Sequence, residues 1–217
     1  MQESALIPPP RPGEGVIQFL LEYVHDRAID GEPYESLNRW RDVLFQNGLT
    51  GKEPLRYEGL AFGNLSLRLR RTGFLISGTQ TGGKPHLGAE DYTWVQQWDI
   101  EKNRLTAQGP CRPSSEALTH AAAYQSNPEI SAVLHVHSPL IWSHAQRLGL
   151  FETDPEIGYG TPEMAEAIMA WVRDRPLALI AMRGHEDGII ATGPSLDAAG
   201  NLLLDALKAA GSLAQIS

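Results

Sequence analysis

Apolar residues recur along the chain at two periods, and each period predicts a set of elements. Helical spacing runs through Val16, Phe19, Leu20, Tyr23 and Val24 and predicts a helix over residues 16–29. The same spacing over 37–49 predicts a second helix that stops at Gly48 and Gly51. Alternation then takes over. Leu65, Leu67 and Leu69 oppose Ser66, Arg68 and Arg70, the pattern of a half-buried strand. Thr72-Gly73 reads as a hairpin turn and Phe74-Leu75-Ile76 as the return strand. Residues 93–100 alternate again, Glu101-Lys-Asn103 turns, and a short strand returns near Leu105.

In the second half, Pro113-Ser114-Ser115 precedes an alanine-rich run without proline until Pro128. This predicts a helix with Ser114 or Ser115 as N-cap and Glu116 in its first turn. Residues 131–137 form a short apolar strand, followed by a helix over 140–148. Thr161-Pro-Glu caps a helix that runs to Arg173. Buried strands follow at 177–182 and 188–191, then an amphipathic helix over 195–213. Helices on an antiparallel-rich central sheet make an α/β sandwich, here a single domain over 15–217 behind a flexible proline-rich arm at 1–14.

The strand at 131–137 carries the chemistry. Side chains alternate across a strand, so Val133, His135 and His137 share one face and Leu134 and Val136 the other. Two imidazoles two residues apart can reach one divalent cation. The competing reading is a pair of hydrogen-bonded core histidines; the His-x-His spacing at the end of an apolar strand favours the metal. Upstream, serine hydroxyls and free N–H groups at a helix N-terminus suit an anion, and Glu116 sits beside that position. Taken alone, serines and an early glutamate are ordinary at a helix start. His120 and Tyr124 follow Glu116 at helical spacing, as packing or orienting groups. The glycine-rich run Gly78-Thr-Gln-Thr-Gly-Gly83 allows backbone N–H groups close to a phosphate, although such a run is more often only a loop.

Composition removes several alternatives. Hydrophobic residues make up 42% and charged residues 20%, as in ordinary globular proteins. A formal charge of −8 argues against nucleic-acid and anionic-membrane partners. No apolar run approaches the ~20 residues of a membrane span. The proline-rich start lacks the apolar core of a signal peptide, and the single cysteine, Cys111, fits a reducing compartment, hence a cytoplasmic protein. There is no P-loop or G-x-G-x-x-G; Ile189 stands where His-Glu-x-x-His needs its last histidine, and Pro139 where His-x-His-x-Asp needs its aspartate.

The order of these pieces carries a resemblance. Pro113-Ser-Ser-Glu116, a helix with His120, the His135-x-His137-Ser-Pro strand end, Gly63-Asn64-Leu65-Ser66 upstream and Gly184-His185 downstream resemble the class II aldolase/adducin family over about residues 37–207. The resemblance implies a metal held by His135, His137 and His185, with Glu116 as a further ligand and as the catalytic acid or base. The metal implied is Zn2+, with Mn2+, Co2+ or Fe2+ compatible. It places Asn64, Ser77, Thr79, Ser114 and Ser115 around a substrate phosphate, and implies a homo-oligomer, a tetramer. The activity implied is that of a lyase or epimerase acting on a small, possibly phosphorylated sugar or hydroxy-carbonyl compound through an enolate or enediolate. Dehydration or decarboxylation uses the same parts, and adducin heads carry the fold as binding modules without catalysis. Several segments depart from the family pattern, among them Ser77-Gly-Thr79-Gln80, where the family often has Pro-Ser-Gly or Pro-Thr-Gly. His185 is followed by Glu186-Asp187 before Gly188, a pair that either orients His185 or forms a charged turn. The family's catalytic tyrosine has only Tyr159 as a candidate position. Trp142 and Phe151, unassigned to a core by the pattern, are candidates for an interface between subunits.

Overall fold

The computed structural model of the chain describes residues 5–7, 16–29, 31–69 and 72–215. Strands β1 (Ala5–Ile7) and β2 (Leu20–His25) come first, then helix α1 (Glu32–Gln46). The two-residue strands β3 (Gly51–Lys52) and β4 (Ala61–Phe62) pair with each other. A meander follows: β5 (Asn64–Arg68), β6 (Phe74–Ser77), β7 (Tyr92–Asp99) and β8 (Arg104–Gly109). Helix α2 (Ala117–Ser126) leads into β9 (Ala132–His137). Next come α3 (Pro139–Ser143), α4 (Ala145–Leu148), β10 (Phe151–Glu152) and α5 (Pro162–Val172). The hairpin β11 (Ala178–Ala181) and β12 (Gly188–Gly193) and the helix α6 (Leu196–Ala214) complete the described chain.

Ten strands form one sheet in the order β1-β2-β8-β7-β6-β5-β9-β12-β11-β10. Neighbours are antiparallel except β2–β8 and β10–β11, which are parallel. Alternation sorts the side chains to two cores. Phe74, Ile76, Val133 and Ile190 face α2 and α5; Leu65, Leu75, Leu134, Val136 and Ile189 face α1 and α6. The expected α/β sandwich is thus what the chain forms. Helix α2 is buried from Ala117 to Tyr124, and its alanines let α5 pack closely over it.

Three expectations need correction. The helix expected over 16–29 is strand β2, because Phe19 and Leu21 are buried and Tyr23 packs on the same core, a period of two. Burial contributes about 1.5–3 kcal/mol for each large side chain, against at most ~0.7 kcal/mol per residue from ordinary helix propensity. The helix over 140–148 is two short helices that break at His144. Helix α2 has Glu116, not a serine, at its N-cap: the Ser114 carbonyl accepts from Ala117 N–H at 3.1 Å, a tight turn that delays the helix, and the Ser114 hydroxyl accepts from Glu116 N–H at 3.3 Å. Trp142 and Phe151, which the pattern left unassigned, are partly buried against the cores; the Trp142 indole donates to the Met182 carbonyl and Phe151 stacks on Trp171. Within the proline-rich arm, Ala5–Ile7 pair antiparallel with β2, and the rest of residues 1–14 lies outside the described residues. No helix among the described residues is long and apolar enough to cross a membrane.

Candidate active site: a histidine cluster at the end of a central strand

Strand β9 lies between β5 and β12. Asn64 and Ile190 stand opposite His135, and Gly188 stands opposite His137. Opposed residues of an antiparallel pair share a face, so Asn64, His135 and His137 look toward α2. His185 comes from the β11–β12 loop, where His185 N–H donates to Met182 O at 3.0 Å and Gly188 N–H donates to His185 O at 2.9 Å. The His185 ring stacks on His135 at 5.0 Å and meets His137 edge-on at 4.7 Å. All three rings are buried, and one nitrogen from each lies within 4.8 Å of the others. Glu116 Oε1 is 3.8 Å from His185 Nδ1.

Burial, and next the charge of the neighbouring imidazoles, hold His135 and His137 well below the ordinary histidine range. Both rings are therefore neutral, the form that binds metals. His135 Nδ1 is buried without a hydrogen-bond partner. Three buried imidazoles with a carboxylate beside them are the donor set of a zinc-like cation, and the residues present fit one.

The cluster forms one wall of a cavity of about 370 Å³, solvent included. Glu116, Tyr159, Asn64, Thr79, Ser114 and Ser115 line it with the histidines, together with Gly78, Gln80 and Gly82 of the same loop as Thr79. Asn64 Oδ1 is buried and has no hydrogen-bond partner. Ser77 does not line the cavity. Its hydroxyl accepts from Leu65 N–H at 3.2 Å and its carbonyl accepts from Ser114 N–H at 3.2 Å, so it ties β5 to the segment that leads into α2. Tyr159 stacks on His185 at 4.6 Å. The loop that carries it is pressed onto Gly184, where a Cβ would collide with the Ile157 carbonyl.

The sequence profile described as "Class II Aldolase and Adducin N-terminal domain" matches residues 55–211. The chain belongs to the class II aldolase/adducin family. Among curated relatives of this family member, the 3-oxo-tetronate 4-phosphate decarboxylase of Haemophilus influenzae is 31% identical over 159 residues, 64% of this chain and 70% of that protein. A methylthioribulose-1-phosphate dehydratase of Yersinia pestis is 30% identical over 164 residues, covering 62% and 68%. The l-fuculose-1-phosphate aldolase of Thermus thermophilus has the same fold, with a TM-score of 0.65 at 20% identity, covering 84% of this chain and 92% of that one.

In this class II aldolase/adducin chain the third histidine sits on an anchored loop that the sequence left undecided. Asp187, itself buried, accepts from Tyr57 OH at 2.7 Å and from Arg56 Nη2 at 2.6 Å through the same Oδ2. Its backbone carbonyl accepts from Ser138 N–H, just after His137. Asp187 is thus a buried anchor and not a charged surface turn. Asp187, Tyr57 and Glu58 all have positive φ (60°, 50° and 56°), conformations that non-glycine residues hold only when their surroundings fix them. The Tyr57 ring meets His137 edge-on at 4.5 Å, and burial, then Asp187, push its ionisation well above the usual phenol range. Behind β5, the Ser66 hydroxyl is 2.7 Å from both His120 Nδ1 and Tyr124 OH, which makes the two helix residues a polar chain under the site.

Proposed function

We propose that the protein is a divalent-metal-dependent lyase or epimerase acting on a small sugar, sugar phosphate or hydroxy-carbonyl compound. His135, His137 and His185 would hold the cation, with Glu116 as a further ligand at rest; Zn2+ suits the donor set best, and Mn2+, Co2+ or Fe2+ are compatible. The observation that carries this reading is the buried trio itself, with ligand nitrogens within 4.8 Å and a carboxylate 3.8 Å from one of them.

When bound, such a cation polarises a carbonyl and stabilises the charge that develops as a neighbouring bond breaks. The chain's own residues do the rest. Glu116, buried at the start of α2, accepts a proton from the substrate and returns it. The Tyr159 hydroxyl group, on the wall beside His185, supplies a second proton donor. Asn64, Thr79, Ser114 and Ser115 orient the polar substrate, with Ser77 tying β5 to the segment that leads into α2. Cleavage, epimerisation, dehydration and decarboxylation share this set of groups; the curated relatives include a decarboxylase and a dehydratase.

The same reading makes the protein a cytoplasmic homo-oligomer, a tetramer by likeness to its family. An apolar groove between β10 and α6 supports self-association: Leu148, Leu150, Phe151 and Leu202 line it, and Leu177 beside them is 48% exposed. The deciding experiment is elemental analysis of the purified protein and of His137→Ala. About one divalent ion per chain, lost in the variant, supports the reading, and sugar phosphates and small hydroxy-ketones are then assayed. A chain that takes up no ion from zinc or manganese solutions would be an adducin-like binding domain instead.

A further inference from the structure

Helix α1 buries a guanidinium behind the glycine-rich loop. Arg41 is 1% exposed; its Nη2 donates to Gly82 O at 2.9 Å and to Lys84 O, and its Nη1 donates to Pro85 O at 3.0 Å. Among the described residues the one carboxylate within 4 Å is Asp42, at 3.8 Å and partly exposed. The face of the guanidinium lies 4.5 Å from the Phe45 ring centre. Lys84, the other cation of this loop, is already neutralised by Asp91 at 2.6 Å. Burying a cation is costly even with Asp42 beside it, and the donors of this one are spent on loop carbonyls, so the position calls for a reason beyond helix packing.

The loop supplies one. Gly82 lines the cavity together with the histidines, packed so closely that a Cβ would collide with the Phe62 backbone. Its carbonyl is engaged by Arg41, which does not line the cavity. A carbonyl oxygen turned into the cavity would repel an anion; pinned by Arg41, it leaves the N–H of the same trans peptide directed the opposite way. Among the described residues no lysine or arginine lines the cavity; Arg41, with Asp42 at 3.8 Å, is a buried positive charge bonded to the loop that forms part of it. Asn38, one turn earlier, fastens the same loop by donating to Leu87 O at 3.2 Å.

We propose that Arg41 is the positioning and specificity-determining residue of the anion wall. It holds the Gly82, Lys84 and Pro85 carbonyls on its own side of the loop and gives the loop a positive potential that favours a dianionic substrate group, such as a phosphate, over a neutral one. This rests on the proposed function only in taking the cavity as the substrate site.

The test is a titration of the zinc-loaded protein with inorganic phosphate at pH 8, read at the backbone amides of 15N-labelled Gly78, Gly82 and Gly83, and repeated with the monoanion formate. The wild type is expected to shift these amides with phosphate. Arg41→Met is expected to weaken phosphate by roughly tenfold or more, the size of one lost charge-assisted interaction, and formate by less. Loss of both ligands in equal measure would show a structural role and overturn the proposal. So would wild-type phosphate affinity in Arg41→Met, or no loop shift with phosphate in the wild type. Should Arg41→Met fail to fold, Arg41→Lys decides. It keeps the charge without the fork and is expected to bind phosphate several-fold more weakly than wild type; unchanged affinity would overturn the proposal. Zinc content measured in parallel keeps the two readings apart: phosphate binding at the loop without zinc uptake would defeat the metal reading alone.

Discussion

The Tyr57 hydroxyl donates to Asp187 Oδ2 across 2.7 Å, and these residues stand 130 positions apart in the chain. One carries a ring that meets His137, the other closes the loop that carries His185. Tyr57→Phe removes the donor and keeps the ring. It is expected to destabilise the fold by about 1.5–3 kcal/mol, the size of a hydrogen bond to a charged group, in urea unfolding. Chelator competition is expected to show metal affinity lowered by about tenfold, as for other groups that hold ligands in place. Unchanged values on both counts would reduce the contact to simple packing.

Glu116→Gln keeps shape and removes the proton-transfer group. Under the proposed function, kcat falls by about 10²–10⁴-fold while KM changes little. The zinc content should fall less than in His185→Ala, since three imidazoles remain. A variant with wild-type kcat on a confirmed substrate would take the acid–base role away from Glu116.

Acid sensitivity should trace in part to His120. Burial lowers its folded-state pKa from the ordinary 6.5 to about 3. The unfolded chain therefore takes up this proton first. The stability owed to neutral His120 is fully present above about pH 6.5 and is lost progressively as the pH falls toward 3. Between pH 7.5 and 4.5 the wild type should lose on the order of 2 kcal/mol more than His120→Gln, measured by urea unfolding at both values. Parallel losses in the two proteins would place the acid sensitivity elsewhere.

Metal removal gives an independent check. A cation bound only by the native state adds about 2.7 kcal/mol at a hundredfold excess over Kd. Stripping with a chelator should lower the melting temperature of the wild type and leave His185→Ala almost unmoved. Equal shifts would mean that the ion binds outside the cluster.

What could be read from the sequence followed from local periodicity. Strand β9 announces itself as a short, β-branched apolar run buried on both faces, and the alternation of side chains along a strand puts His135 and His137 on one face. Residues 16–29 misled because Phe19, Leu20, Tyr23 and Val24 fit a helical stripe, while Phe19, Leu21 and Tyr23 fit a strand equally well. The partner that decides between them, β8, lies some eighty residues downstream. Arg41 gave no signal. An arginine on an amphipathic helix reads as solvent-exposed, and only the carbonyls of a loop about forty residues away explain its burial. Asp187 was left open for the same reason, since Tyr57 and Arg56 reach it only through the tertiary fold.

The separation of the three histidines also fixes an order of events during synthesis. His135 and His137 arrive together on β9, which can pair with the earlier strand β5 at once. His185 is brought to them only when β12 docks on the other side of β9, with Gly188 opposite His137. A nascent chain still tethered to the ribosome before residue 188 would hold two of the three ligands in place. Ion capture would then mark the closing of the sheet and not its nucleation, and truncated chains released early would leave the ribosome unable to retain the ion.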